Sequence, residues 1–252
     1  VRWNAIGRFS TQGVNFAVGL VLARLLSPSD YGIVGMVGIF FAIAQTFIDS
    51  GFGSALIRKN DCTDLDYATA FYFNIIVAFL CCLGLSIAST FIADFFDTPI
   101  LKDIVKVMSL NMLIGSLAIV HSTRLTHSID FKSQATINLI TAICSGSIGI
   151  YLAYKGLGVW SLVLQNLTAT ILRVLLLFVY TRWIPRLQFS KESFKYLFNF
   201  GSKILTASLL HTIYSNMTTF IIGKTYSATD LGYYTRGQSL ASFPSTNVSG
   251  IL

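Results

Sequence analysis

Ionisable and amide side chains break up an otherwise strongly apolar chain, and these are the residues that could do chemistry. Arg24 sits in the last turns of one apolar run. Arg173 lies seven residues before Tyr180, deeper in another. Lys203 and His211 fall eight residues apart, on nearly one face of a later helical run that also carries Asn216. Asp49 follows Gln45 by one helical turn at the end of the second run. Charged side chains are costly in hydrocarbon, so they normally face a cavity or a partner. Arg24, Arg173, Lys203 and Asn216 are therefore the candidate substrate-binding residues, and Asp49 is the candidate coupling or gating group. A cavity presenting the three cations would suit an anionic substrate, because a guanidinium forks onto phosphate oxygens. Plainer roles stand beside these. Arg24 and Lys203 can snorkel to the interface, Asp49 can cap or pair, and the amides can hydrogen-bond between helices.

Other chemistries find no support. No Ser/His/Asp arrangement, paired-carboxylate helix or phosphate-binding glycine loop is visible, so neither a catalytic residue nor a cofactor is expected. Cys62, Cys81, Cys82 and Cys144 lack metal spacing, and His121 and His127 have no third ligand at helical spacing, so no metal is expected. The net charge of +7 lies mostly between apolar runs rather than in a nucleic-acid module, so no nucleic-acid partner is expected.

The elements that must hold these residues are membrane helices. The chain is 54% hydrophobic and 12% charged, with a mean hydropathy of +0.67, whereas a soluble domain carries about 25% charged residues. Several runs approach the roughly 20 residues that cross a bilayer core, and none alternates as a barrel strand must. The pattern predicts an all-α, polytopic transmembrane bundle. Its spans run near Ala5–Leu26, Ile33–Ile48, Tyr67–Ala93, Ile104–Val120, Ala135–Tyr154, Val159–Tyr180 and Phe200–Ile222, with an eighth beginning near Gly237. A break at Asp49-Ser50-Gly51-Phe52-Gly53 leads into a polar loop with Arg58, Lys59, Asp61, Asp64 and Asp66. Gly32, Gly35 and Gly38 line one helix face, which suits close helix packing. The chain reads as a fragment of a longer protein.

One motif appears twice. In LARLLSPSDYG (Leu22–Gly32) and IGKTYSATDLG (Ile222–Gly232), Arg24, Ser27, Asp30 and Gly32 are echoed by Lys224, Ser227, Asp230 and Gly232. Ser27-x-x-Asp30 and Ser227-x-x-Asp230 resemble capping boxes that start the next helix. The shared basic residue before them points further, to an internal duplication. Six spans separate the copies, so two like-oriented halves are expected. The amino-terminal end and the loops between spans 2–3, 4–5 and 6–7 hold the larger share of the 18 Lys and Arg. The positive-inside rule then puts the amino terminus in the cytoplasm.

Four stretches carry a family resemblance: LARLLSPSDYGIVGM (Leu22–Met36), DSGFGSALIR (Asp49–Arg58), KGLGVWSLV (Lys155–Val163) and IIGKTYSATDLGYYTRGQ (Ile221–Gln238). Together they resemble the Wzx-type polysaccharide and O-antigen flippases of the multidrug/oligosaccharidyl-lipid/polysaccharide (MOP) superfamily. The resemblance implies a MATE/MOP-like fold of two six-helix lobes. Residues 1–190 would form the first lobe, and residues 191–252 would begin the second. It implies alternating-access flipping of an undecaprenyl-diphosphate-linked oligosaccharide across the bacterial inner membrane. The implied partners are that lipid-linked oligosaccharide, the lipid bilayer and other polysaccharide-assembly membrane proteins. Asn216-Met217-Thr218-Thr219 stands where many relatives carry an acidic residue. A multidrug or cation extruder of the same fold is the alternative, with a membrane-embedded glycan polymerase or transferase behind it.

Overall fold

The computed structural model describes residues 2–49, 51–59 and 61–249; among residues 2–249, the side chains of 2–6, 8, 240 and 242–249 are outside that description. Ser50, in the break after the second run, lies outside the described residues. The described chain is helical without strands: α1 (Arg2–Leu25), α2 (Pro28–Asp49), α3 (Phe52–Arg58), α4 (Asp64–Phe95), α5 (Leu101–His127), α6 (Phe131–Tyr154), α7 (Val159–Thr181), α8 (Lys191–Thr225) and α9 (Ala228–Ser249). Among the described residues, five stretches are long and apolar enough to cross a membrane: Pro28–Arg58, Asp64–Phe95, Leu101–His127, Phe131–Tyr154 and Val159–Thr181; α1, α8 and α9, where spans were also expected, are not among them. The protein is a multi-pass membrane protein.

Local chemistry starts these helices. Ser27 N–H donates to Asp30 Oδ2 at 2.9 Å, and Asp30 N–H returns to Ser27 Oγ at 3.4 Å. The second copy repeats this, at 3.2 Å in both directions between Ser227 and Asp230. Both are reciprocal capping boxes. They also correct two expected boundaries. The second span begins at Pro28 rather than Ile33, because the proline at the first helical position lacks only a hydrogen that has no intrahelical partner. The eighth begins at Ala228 rather than near Gly237, so Arg236 is a helical residue and not a loop residue. The predicted polar loop after Gly53 is also partly helical: α3 buries Phe52, Ala55 and Leu56.

Packing then sorts the helices. α4 pairs with α5, α1 with α6, and α7 with α5 and α6, while α2 contacts both α8 and α9. At one end, here the motif end, Gly32 and Gly232 make a reciprocal contact. A Cβ on Gly32 would lie 1.7 Å from the Ala228 carbonyl oxygen, and one on Gly232 would lie 1.8 Å from the Pro28 carbonyl oxygen. Gly32 stands to Ala228 as Gly232 stands to Pro28, so the two motif copies pack across a local pseudo-two-fold axis. A hydrophobic cluster containing Met36, Val37, Phe96 and Leu231 continues this contact inward. At the opposite end, the connector end, Leu197 of α8 enters a cluster with Phe52, Tyr67, Phe71 and Trp183.

Candidate functional site

Three cavities among the described residues adjoin one another, and polar residues line their shared walls. The first, about 560 Å³, lies between α2, α3, α5 and α7 and is lined by Gln45, Asp49, Asn111, Thr170 and Arg173 among others. The second, about 300 Å³, lies between α1, α6 and α7 and shares Thr170 and Arg173 with the first. The third, about 290 Å³, is a groove between α1 and α9 that shares Asn15 with the second and includes Arg236. Shared lining residues thus link the three in series, a track from the α1–α9 groove through Asn15 to Arg173 and on to Asp49.

Each wall has a sequence cause. Gln12 and Asn15 lie less than a turn apart on α1, while Asn166, Thr170 and Arg173 follow at helical spacing on α7. Amides and hydroxyls, which both donate and accept, make up most of the polar lining, and Asp49 is the one carboxylate among the residues lining these three cavities. Asp49 accepts from Gln45 Nε2 at 3.0 Å. The hydroxyls of Thr11 and Thr141, and Oδ1 of Asn111, are buried without a hydrogen-bond partner. Buried polar atoms left unpaired are uncommon in folded proteins, so their grouping here marks the hollow as a place for water or polar ligand atoms.

Arg236 is the residue that reading the sequence missed. Its guanidinium lies over the Tyr31 ring, 3.4 Å from the centroid, which fixes its orientation. Its Nε and the Tyr31 hydroxyl are buried without a hydrogen-bond partner. A Cβ on Gly19 would come within 4.0 Å of its Nη1. One signal could have found it: the Ser227/Asp230 capping box already implied a helix through position 236.

The other expected site residues fall differently. Arg24 is exposed near the end of α1 and lines none of the three cavities. Lys203 is exposed on α8, and Asn216 donates to the Thr212 carbonyl of its own helix at 2.8 Å. The structure therefore brings Arg173 and Asp49 to one cavity and leaves Arg24, Lys203 and Asn216 outside the track. The echo of Arg24 by Lys224 is not matched in contacts, since Lys224 Nζ donates to the Phe95 carbonyl at 2.5 Å and caps the end of α4.

A family model described as polysaccharide biosynthesis protein matches residues 21–252. The chain is 24% identical over 244 residues to the succinoglycan biosynthesis transport protein ExoT of Rhizobium meliloti (strain 1021), covering 97% of this chain and 49% of that protein. It is 21% identical over 253 residues to the lipopolysaccharide biosynthesis protein WzxC of Escherichia coli (strain K12), covering all of this chain and 51% of that protein. The chain therefore spans about half the length of these curated relatives. Among solved structures it is similar to the inward-facing conformation of a multidrug resistance MATE family transporter of the MOP superfamily. The TM-score is 0.68 at 15% identity, over 98% of this chain and 63% of the other. That likeness shows a MATE/MOP-type helical fold.

Proposed function

The chain belongs to the polysaccharide biosynthesis protein family, and from that premise we propose that it is the amino-terminal part of a flippase. The cargo is an undecaprenyl-diphosphate-linked oligosaccharide, carried from the cytoplasmic to the outer leaflet of a bacterial inner membrane by alternating access. The amino terminus is cytoplasmic, on the side richer in Lys and Arg. Residues 1–190 form the first lobe, and 191–252 begin the second. The chain translocates its cargo without transforming it, and it works beside other polysaccharide-assembly membrane proteins.

The observation that carries this reading is the polar track, with a guanidinium at each of two stations, Arg236 and Arg173. Guanidinium groups pair with phosphate and carboxylate oxygens in a bidentate way. The amides and hydroxyls between them suit a polyhydroxylated cargo. A cation extruder would be expected to line its path with carboxylates, and here only Asp49 lines the track. Arg24, Lys203 and Asn216 are secondary contacts in this reading, met when the lobes change arrangement, and Asp49 is the coupling or gating group.

The test compares Arg173→Glu with Lys155→Glu, the latter in the turn between α6 and α7. Lipid-linked oligosaccharide is measured on each face of the inner membrane in a host carrying the full-length gene. Arg173→Glu should leave protein level near normal and cut transfer to the outer face by about tenfold or more, the loss of one charge-assisted contact plus repulsion. Near-normal transfer in that variant removes Arg173 from the cargo path. Unchanged oligosaccharide after deletion of the whole gene, with altered drug tolerance, moves the protein to the extruder reading.

A further inference from the structure

The segment joining α7 to α8 is not helical between Arg182 and Ser190, and it begins where the stretch Val159–Thr181 leaves the bilayer. Three of its apolar side chains face outward: Ile184 is 80% exposed, Leu187 91% and Phe189 52%. Arg182 and Arg186 are exposed beside them, and Lys191 and Lys195 are exposed on the first turns of α8. Glu192 is the one carboxylate between Arg182 and Lys195.

This face is held in place from behind. Trp183 is buried against Tyr67 and Phe71, at centroid distances of 6.3 and 6.1 Å. Tyr72 Oη donates to the Pro185 carbonyl at 3.3 Å, and Ser190 N–H donates to Thr69 Oγ1 at 3.1 Å. The segment therefore cannot turn its apolar side chains inward without breaking these ties. Apolar side chains held at a membrane boundary, with a ring of cations beside them, match the chemistry of an anionic lipid surface. The apolar groups enter the upper acyl region while the cations meet headgroup phosphates.

We propose that the connector from Arg182 to Lys195 is a docking surface for anionic phospholipid headgroups, with Ile184, Leu187 and Phe189 inserted beneath them. Anionic headgroups concentrate there because each basic residue near a charged surface favours them by about fivefold. This stands independently of the cargo: it requires only the connector's position at the boundary and its charge.

The test uses the full 252-residue chain carrying Leu187→Trp, reconstituted in vesicles that contain either brominated phosphatidylglycerol or brominated phosphatidylcholine. Quenching is measured beyond that of the unsubstituted chain in the same vesicles. The expected result is quenching in both lipids, severalfold stronger with brominated phosphatidylglycerol. That preference should fall to near equality in a second chain that also carries Arg182→Gln, Arg186→Gln, Lys191→Gln and Lys195→Gln, and it should shrink as salt is raised. All four replaced side chains are exposed, and unchanged helicity by circular dichroism checks that the variant is folded. Equal quenching by the two lipids overturns the charge part of the proposal. Absence of added quenching in either lipid shows that the connector stands clear of the bilayer and overturns the whole. Loss of the preference on adding millimolar inorganic phosphate, at constant ionic strength, identifies a free-phosphate site and overturns the lipid assignment.

Discussion

At the motif end, α2 and α9 meet backbone to backbone, with glycine hydrogens facing carbonyl oxygens across a pseudo-two-fold axis. At the connector end, α8 is held to α3, α4 and the connector by side chains. Leu197 of α8 is fully buried, Phe194 lies 6.2 Å from Phe52 and 5.2 Å from Phe73, and Lys59 lies over Tyr196 at 5.5 Å; beside them Arg124 lies over both Tyr67 and Trp183 at 5.0 and 4.9 Å, and Lys59 pairs with Asp66 at 2.7 Å. The first contact is sterically exacting, and Leu231 of α9, fully buried with Met36, Val37 and Phe96, extends it. Arg236 of α9 also lies over the Tyr31 ring of α2, so a side-chain tie joins the glycine contact. The second contact is an aromatic core with charged and hydrogen-bonded ties, so separation there would expose rings and unpair buried groups. The difference is one of kind: backbone proximity sets the spacing of α2 and α9 at the motif end, while side chains hold the start of α8 at the connector end.

Substitutions can break or sharpen that contrast. The largest stability loss should come from Trp183→Ala. It removes a buried ring from a cluster of aromatic partners, at a cost of about 3–5 kcal/mol, and would be read as a lowered unfolding midpoint in detergent. Gly32→Ala should cost about 1–3 kcal/mol, because the methyl meets a backbone carbonyl that cannot swing aside. Gly38→Ala is the control, since a Cβ there meets nothing within 4 Å. The double variant Gly32→Ala/Gly232→Ala should cost clearly less than the sum of the singles, because either methyl already forces α2 and α9 apart. Strict additivity of the two would mean that the contacts are independent and not one reciprocal seam.

Helix caps give smaller effects. Asp130 Oδ1 accepts from Ser133 N–H at 3.1 Å, and Oδ2 from Ser133 Oγ at 2.6 Å, at the start of α6 on the connector end. These two bonds, the hydroxyl's first and the amide's second, hold its carboxyl below the usual carboxylate range. The depressed value stabilises the fold above the ordinary carboxylate pKa of about 4, and the benefit is lost as pH falls through the folded value. Asp130→Ala should therefore cost about 0.5–2 kcal/mol at neutral pH. Its difference from the unsubstituted protein should shrink in unfolding curves recorded toward pH 3. The smallest effect belongs to Asp64→Asn. Asp64 meets Arg124 Nη1 at 2.6 Å but is itself 67% exposed, so the pair is worth at most about 1 kcal/mol. A larger loss would mean that Arg124 depends on Asp64 to stay over the two rings.

Some of this was legible from residue order. Ser27-x-x-Asp30 and Ser227-x-x-Asp230 marked helix starts and proved to be capping boxes, and the apolar runs marked most of the helices. Arg173 and Asp49 were singled out as ionisable groups within or at the edge of spans, and both line one cavity. Other expectations failed for reasons that can be stated. Span eight was started too late because Leu231–Arg236 is polar and aromatic rather than aliphatic, though it packs on α2 and not on lipid. α3 was read as loop because seven residues between glycine and lysine give too little periodicity to register. Arg24 and Lys203 are a different case: selected by type, they are exposed in this arrangement and line none of the three cavities.

Sequence alone determined that the chain is built of apolar helices, that capping boxes start two of them, and that the first motif returns 200 residues later. Those signals are local: a cap is satisfied within three residues, and an apolar run declares its own length. Only the tertiary structure decided that Gly32 meets Ala228, that Arg236 lies on Tyr31, and that Leu197 sits among the rings around Trp183. Each of those contacts joins residues far apart in the chain through the rotation and crossing of helices. In lipid the outer faces of helices are as apolar as their contacts, so hydrophobic patterning does not reveal which side of a helix meets another.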